Sequence, residues 1–382
     1  MFGMRDHPQH HDHTYRDALH LGPAHRRGAA INPANRFETV RLHVLGEELD
    51  RQQLEQPASD GRLRKVERQV FYDRTQTIIN RVKPTSDVPF NWTINPYRGC
   101  EHGCIYCFAR PYHEYLGFSA GLDFETKLIA KTDAPQLLQK ELASPNWISE
   151  PIVMSAITDI YQPIEHTYRI ARQCLEILAE SNQPVSTMTK SAMILRDTDL
   201  WAKLAKVNAA KVIITIVTLD PELAQTLEPR ASAPSARLNA ITQLTHAGIP
   251  VAVNIAPIIP GLTDAELPKI IEAAAKAGAT QAAWVLLRLP YQVKDLFLDW
   301  LQRNVHPQRA QKVESLIRQS RGGKLYNATH KRRSGNGPIA QQIAQVFDVF
   351  TRRHGLNRNL TPLSTRHFQR PDTSGQLHLF KQ

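Results

Sequence analysis

Asn95-Pro-Tyr-Arg-Gly-Cys100-Glu-His-Gly-Cys104-Ile-Tyr-Cys107 holds three of the chain's four cysteines within eight positions. A short apolar run beginning near Trp92 precedes it and ends at Asn95-Pro96, so the thiols leave the end of a first strand. Ligands of parallel α/β folds gather at the carboxyl ends of strands, which is where this loop falls. Thiolates bind soft metals and iron–sulfur clusters, and a C-x3-C-x2-C loop can bring three of them to one place. Three protein ligands leave a further position open for chemistry. A disulfide framework needs paired cysteines and an oxidising compartment; the group is odd in number and no signal peptide is apparent. Zinc completed by His102 or His113 is the structural alternative, although structural zinc ligands usually come as two separated pairs. A redox pair of Cys104 and Cys107 leaves Cys100 without a role. A [4Fe–4S] cluster with one free iron uses all three.

Downstream of the cysteines the pattern becomes regular. Apolar, β-rich runs occur at Ile152–Ser155, Val185–Thr189, Val212–Val217, Val251–Ile255 and Ala283–Leu287. Helical spacing fills the intervals at Thr167–Ala179, Asp197–Val207 and Pro234–His246. Thr263-Asp-Ala-Glu266 reads as a capping box opening a helix that Gly278 closes. Short continuous apolar strands alternating with helices predict a parallel sheet with helices outside. With the strand near Ile94 there are six, so the expected fold is α/β, a partial (β/α)6 TIM-like barrel. It has an N-terminal extension and a basic helical C-terminal region. The expected boundaries are a disordered His-rich lead at 1–35, an extension at 36–90 and the core at 91–290. A helical region at 291–355 and a basic tail at 356–382 follow. Lys294–Gln302 and His306–Arg318 read as helices, and Pro338 opens another to His354. Ile339, Ile343, Val346, Phe347 and Phe350 share one face of it, expected to pack across the barrel.

The chain has 382 residues, 42% of them hydrophobic, enough for one large core. No stretch approaches the length of apolar sequence that spans a membrane. Sparse cysteine and an open thiolate site point to a reducing cytoplasm. The net charge of +11 is uneven: from Arg303 onward 15 Lys or Arg face only Glu314, Asp348 and Asp372. Such a segment either binds polyanions through counterion release or is a solvated basic face. Cys174 lies in an apolar helical pattern and reads as core.

The cysteine motif, with Tyr106 just before the third cysteine, resembles the radical S-adenosylmethionine (SAM) superfamily. With "SAITDIYQPIE" (155–165), "TKSAMILRD" (189–197) and "TLDPELAQTLEPRA" (218–231), it looks like the spore photoproduct lyase-related, DNA repair photolyase-like group. "RGAAINPANRFE" (27–38) looks like a subgroup without a settled substrate. The resemblance runs from about Arg27 to the C-terminus. It implies the open barrel, a [4Fe–4S] cluster on Cys100, Cys104 and Cys107, and S-adenosyl-L-methionine chelated at the free iron. A reduced cluster then cleaves that cofactor to methionine and a 5′-deoxyadenosyl radical, which takes a hydrogen atom from substrate. An electron donor is implied, and nucleic acid is the implied substrate class.

The same resemblance distributes the remaining candidates. Tyr106 packs beside the cofactor. Superfamily members often hold the methionine amino group with a Gly-Gly-Glu run after the second strand; here Thr158 and Asp159 stand there instead. An Asp at that point also caps helices. Tyr161, Gln162 and Glu165 match group positions without an assigned role. Lys190 ends the third strand, where a lysine of spore photoproduct lyase meets the methionine carboxylate. Thr215 and Thr218 are candidate cofactor contacts on the fourth strand, and Asn254 is a polar residue in the apolar fifth. Glu228-Pro-Arg230 reads as a salt-bridged loop. No cysteine matches the extra hydrogen donor of spore photoproduct lyase. Gln376-Leu-His-Leu-Phe380 resembles the peptide that docks on the bacterial DNA sliding clamp, through Leu377, Leu379 and Phe380.

Overall fold

The computed structural model describes residues 15–17, 22–33, 35–37, 43–45, 65–83, 88–326, 333–358 and 360–372. Six parallel strands form the central sheet: β1 (Trp92–Ile94), β2 (Ile152–Met154), β3 (Val185–Thr189), β4 (Ala210–Thr215), β5 (Val251–Ile258) and β6 (Gln281–Leu286). They pair in chain order, so each connection is a simple crossover. The short strand Ile79–Arg81 pairs antiparallel with β1 and covers that edge. Among the described residues β6 pairs only with β5, so the sheet curls without closing. The fold is the partial barrel expected from the spacing of the apolar runs.

Register separates the two faces. Ile152, Val185 and Ala210 are neighbours across the sheet, as are Met154, Thr187, Val212 and Val251, and Ile214 with Val253. These side chains are buried against Leu178, Trp201, Leu244 and Ile270 of the outer helices. The alternate positions, including Ser186, Met188, Lys211, Thr215, Asn254 and Ala283, face the concave side. There Met188 is 37% exposed and Ala283 is also exposed. A closed barrel fills that interior with branched apolar side chains. This one leaves a polar cleft.

A second core lies at the carboxyl ends of the strands. Helices Val293–Asn304 and Pro307–Gln319 bring Phe297, Trp300 and Val313 against Cys104, Ile105 and Tyr106 of the cysteine loop. The C-terminal helical region therefore builds one wall of the site. Helix Gly337–Arg353 does not cross the barrel as expected. Its Ile343 and Phe347 join the main core beside helix Leu267–Lys276, and Phe347 lies 6.2 Å from Trp284 of β6. Trp284 is on the outer face, so the helix extends the outer layer.

One expectation for the extensions, the disordered lead, needs correction. Within the lead, residues 22–33 are placed, and Ala24, Ala29 and Ala30 are buried. Residues 36–90 contribute a strand, Gln69–Tyr72, to a small sheet with Lys127–Ala130 and Tyr97–Arg98. Part of the basic tail is also fixed. Asn357 bonds Thr280, Ser364 bonds Asn208, Gln369 bonds Ser181, and Arg370 bonds Pro145 and Trp147. Those partners precede β6, β4, β3 and β2, so the segment laces the amino-terminal ends of the strands, opposite the cysteines. The clamp-like peptide at 376–380 lies outside the described residues, as do five of the six leading histidines, all but His25. Among the described residues no helix is long and apolar enough to cross a membrane.

Candidate active site

The cysteine loop is shaped by a buried arginine that sequence reasoning missed. Arg110 is fully buried and uses all five donors. Nε donates to Cys104 O (2.9 Å), Nη1 to Ala120 O and Gly121 O, and Nη2 to Gly103 O and to Glu125 Oε1 at 2.6 Å. Glu125 also accepts from the backbone N–H groups of Gly28 (3.0 Å) and Ala29 (2.9 Å). The segment 27–31 is thus strapped over the back of the loop. A Cβ on Gly28 would lie 2.1 Å from the Gly103 carbonyl oxygen, which requires glycine there. Cys100 and Cys104 are buried, Cys107 is half-buried, and all are free thiols.

Asp159 ties the loop to two strands. Its oxygens accept from the Thr189 hydroxyl (2.8 and 2.9 Å), Lys190 N–H (2.8 Å) and Tyr161 N–H (2.9 Å), and face His102 Nδ1 at 3.3 Å. Burial opposes its charge, but His102 and the backbone donors outweigh burial and hold its pKa below the ordinary value. A carboxylate offers about four lone-pair sites, and these contacts occupy them. Glu101 and Gln162 extend the tie: Gln162 accepts from Glu101 N–H (2.9 Å) and donates to Gly99 O. Arg230 (3.1 Å) and Arg68 (3.2 Å) pair with the Glu101 carboxylate.

Glu228 is the second missed residue. The expected local pair with Arg230 does not form: Arg230 goes to Glu101, and Glu228 binds Arg237, the Tyr106 hydroxyl and Lys190, whose Nζ is 4.0 Å away. Burial resists its charge, and Arg237 and Lys190 overcome burial to lower its pKa. Lys190 Nζ sits 5.9 Å over the Tyr106 ring. Burial acts against its charge too, but Cys104 and Glu228 more than compensate, and its pKa is raised. Lys190 is therefore a cation beside the thiols, with one fifth of its side chain exposed.

The other candidates divide. Asn254 lies on the concave face, its Nδ2 3.5 Å from Met188 Sδ, and its register neighbour Thr215 has a buried hydroxyl without a partner among the described residues. Thr158 is buried and donates to Tyr97 O (2.9 Å). Thr218 is fully buried, donates to Glu266 Oε1 (2.6 Å) and accepts from Asp220 N–H. The Thr218 hydroxyl is thus engaged with Glu266, and the expected capping box does not form. Glu266 reaches the end of β4 instead of its own helix start, and the Thr263 hydroxyl accepts from Ile259 N–H. His113 is buried against Phe118 and Phe124, with Nε2 unpartnered among the described residues.

The donor set, three free cysteines in one loop with two of them buried, is of the kind that holds an iron–sulfur cluster. Burial pushes the Cys104 thiol up to about 12, with Lys190 and Arg237 opposing it, and burial pushes Cys100 well above its ordinary value. Bound iron reverses that preference, because a coordinating thiol gives up its proton. The orphaned Thr215 hydroxyl, Asn254 and Lys190 offer polar contacts along the cleft.

Residues 94–274 match the Radical SAM superfamily. An uncharacterised protein of Mycobacterium tuberculosis is 37% identical over 245 residues, covering 64% of this chain and 72% of that one. An uncharacterised protein of Methanocaldococcus jannaschii is 30% identical over 185 residues, 48% of this chain and 67% of that one. Among solved structures, spore photoproduct lyase complexed with dinucleoside spore photoproduct aligns with a TM-score of 0.54. The identity is 14%, covering 81% of this chain and 93% of that chain, a likeness of fold.

Proposed function

The chain belongs to the Radical SAM superfamily, and from that premise we propose that it cleaves S-adenosylmethionine reductively to act on a damaged or modified base in nucleic acid, DNA foremost. The superfamily's cofactors are a [4Fe–4S] cluster and S-adenosylmethionine. One observation carries the proposal: three free thiols stand at the carboxyl ends of six parallel strands, above a concave face left polar and open. A reduced cluster bound here would supply the single electron for S-adenosylmethionine cleavage, and through it hydrogen-atom abstraction from substrate. Cys100, Cys104 and Cys107 are the ligands. Lys190 presents a cation for the methionine carboxylate, with the Glu228 carboxylate 4.0 Å away favouring its charged form. Tyr106 is held by Glu228 as the wall beside the cofactor, and Asn254 and Thr215 offer hydrogen bonds from the cleft floor. Asp159 positions Lys190 and the cysteine loop relative to each other.

Nucleic acid is supported by the net charge of +11 and by the dinucleoside ligand of the fold relative. Cys174 is fully buried in the main core. The proposed chemistry therefore differs from one that returns a hydrogen atom through a cysteine in the cleft. An external one-electron donor is required. The test is anaerobic: reconstitute the cluster, reduce it, add S-adenosylmethionine with or without ultraviolet-damaged DNA, and assay 5′-deoxyadenosine. Wild type is expected to form it, and Cys100→Ala, Cys104→Ala and Cys107→Ala are expected to form none. Retained cleavage in all three variants would sink the proposal. Iron-free protein binding one zinc would replace it with a structural role.

A further inference from the structure

The helical turn that follows the cysteines turns two tyrosines outward. In the 3-10 helix Arg110–Leu116, residues three apart share a face. His113 and Glu114 point inward and are buried, whereas Tyr112 is 53% and Tyr115 is 66% exposed, with ring centroids 6.4 Å apart. Phe37, also exposed, continues the row 5.0 Å from Tyr115. The Arg36 guanidinium lies 4.9 Å from the Phe37 ring, 5.8 Å from Tyr115 and 4.0 Å from the exposed Tyr291. Its Nε and backbone N–H are held by the buried Glu114, which also accepts from Gln292. The row is therefore a built surface, fixed from beneath by one carboxylate. Tyr112 is five positions beyond Cys107, and Tyr291 is on the loop after β6, so both segments follow the carboxyl ends of strands, as the cysteine loop does.

Four clustered, exposed aromatic rings are unusual on a protein surface and mark an interaction site. Protein interfaces are themselves enriched in Tyr, Phe and Arg, so the choice of partner follows the substrate class proposed above: rings interleaved with a guanidinium fit unpaired bases and their phosphates.

We propose that Phe37, Tyr112, Tyr115 and Tyr291, with Arg36, form a stacking platform for unpaired nucleotides flanking the base presented to the cleft. It rests on the nucleic-acid reading above. The proposal excludes recognition of an intact duplex by this face, because stacked bases offer no ring to stack on.

The test uses the reconstituted full chain, a fluorescein-labelled single-stranded oligothymidine and fluorescence anisotropy at fixed salt. Stacking contributes about 1–3 kcal/mol per base, so Tyr112→Ala with Tyr115→Ala is expected to weaken binding at least about tenfold. Tyr112→Phe with Tyr115→Phe keeps the rings and is expected to bind within about twofold of wild type. Thermal unfolding midpoints within a degree or two of wild type would show that both pairs fold. Wild-type affinity in the alanine pair overturns the platform alone, since wild type still binds. Equal losses in the alanine and phenylalanine pairs also overturn it, by assigning the effect to the hydroxyls. No binding by wild type overturns the platform and the substrate class together, while leaving the S-adenosylmethionine cleavage assay to stand or fall separately.

Discussion

Glu228 holds three groups from other elements, Arg237 nine positions on and two from well before it. Tyr106 is 122 positions away, and Arg237 and Lys190 are on other elements. Removing one partner of a buried ion pair costs about 3–5 kcal/mol, because the other charge is left uncompensated. Glu228→Ala is therefore expected to lower unfolding stability by about that much in urea titrations. Glu228→Gln, which keeps a hydrogen-bond acceptor, should lose less. A loss below about 1 kcal/mol in the alanine variant would mean that water reaches the pair. The sequence showed Glu228 next to Arg230 and so suggested a local bridge. Side chains two apart on this loop diverge, and a contact closed over a hundred residues leaves no period to read. His113 gives a pH test. Burial lowers its pKa to about 4 from 6.5, since protonation would place a charged N–H with no acceptor against Phe118 and Phe124. Between those values the unfolded chain binds the proton and the native one does not, so stability rises with pH. On acidification from pH 6.5 to 4, wild type should lose up to about 3 kcal/mol relative to His113→Phe. Parallel stability profiles of the two proteins would remove His113 as the cause.

Elements with a simple period were legible, and those held by scattered contacts were not. The six strands follow from runs such as Val212–Val217, because strands buried on a sheet's outer face need branched apolar residues at each alternate position. Ends shifted by one to three residues where loop hydrogen bonds decide them. The segment Arg27-Gly-Ala-Ala-Ile31 has no period. It is placed by backbone N–H groups reaching Glu125, by Arg27 donating to Glu125 O, and by close contact with Gly103. Small residues fit a strap that must lie within 2.1 Å of where a Cβ would meet a carbonyl. Gly28→Ala is expected to lift the strap and loosen the cysteine loop, seen as lower iron content after reconstitution and faster proteolysis near residue 27. Gly22→Ala, with nothing within 4 Å of its added carbon, is the control. It carries only the left-handed backbone cost of about 1 kcal/mol, and its iron content should match wild type. Equal iron content in both variants would show that the strap does not support the loop.

At the scale of the molecule, the two ends of the strands do different work. The tail segment 360–372 fastens the amino-terminal end, and the cysteine loop and second core build the carboxyl end. A six-residue strand is about 20 Å long, more than twice the screening length of about 8 Å at physiological salt. Arg366 is exposed at the fastened end. Arg366→Glu should therefore leave oligonucleotide affinity within about twofold, although the sequence grouped it with one basic region. A larger loss would place nucleic acid on both ends. The concave face sets the sharper test, because it separates an open cleft from a filled barrel. Met188 projects into the concave side and is 37% exposed, whereas Ile214, on the neighbouring strand, is 1% exposed against the outer helices. Met188→Trp meets open space, so its stability should change by less than about 1 kcal/mol. Its bulk would occupy the cleft beside Asn254, and 5′-deoxyadenosine formation should fall at least tenfold with iron content unchanged. Ile214→Trp overpacks a close-packed core and should lose about 1–3 kcal/mol or more. If Met188→Trp were the more destabilising of the two, the interior would be packed like that of a closed barrel. The cofactor would then have to lie above the strands, because the interior would be filled.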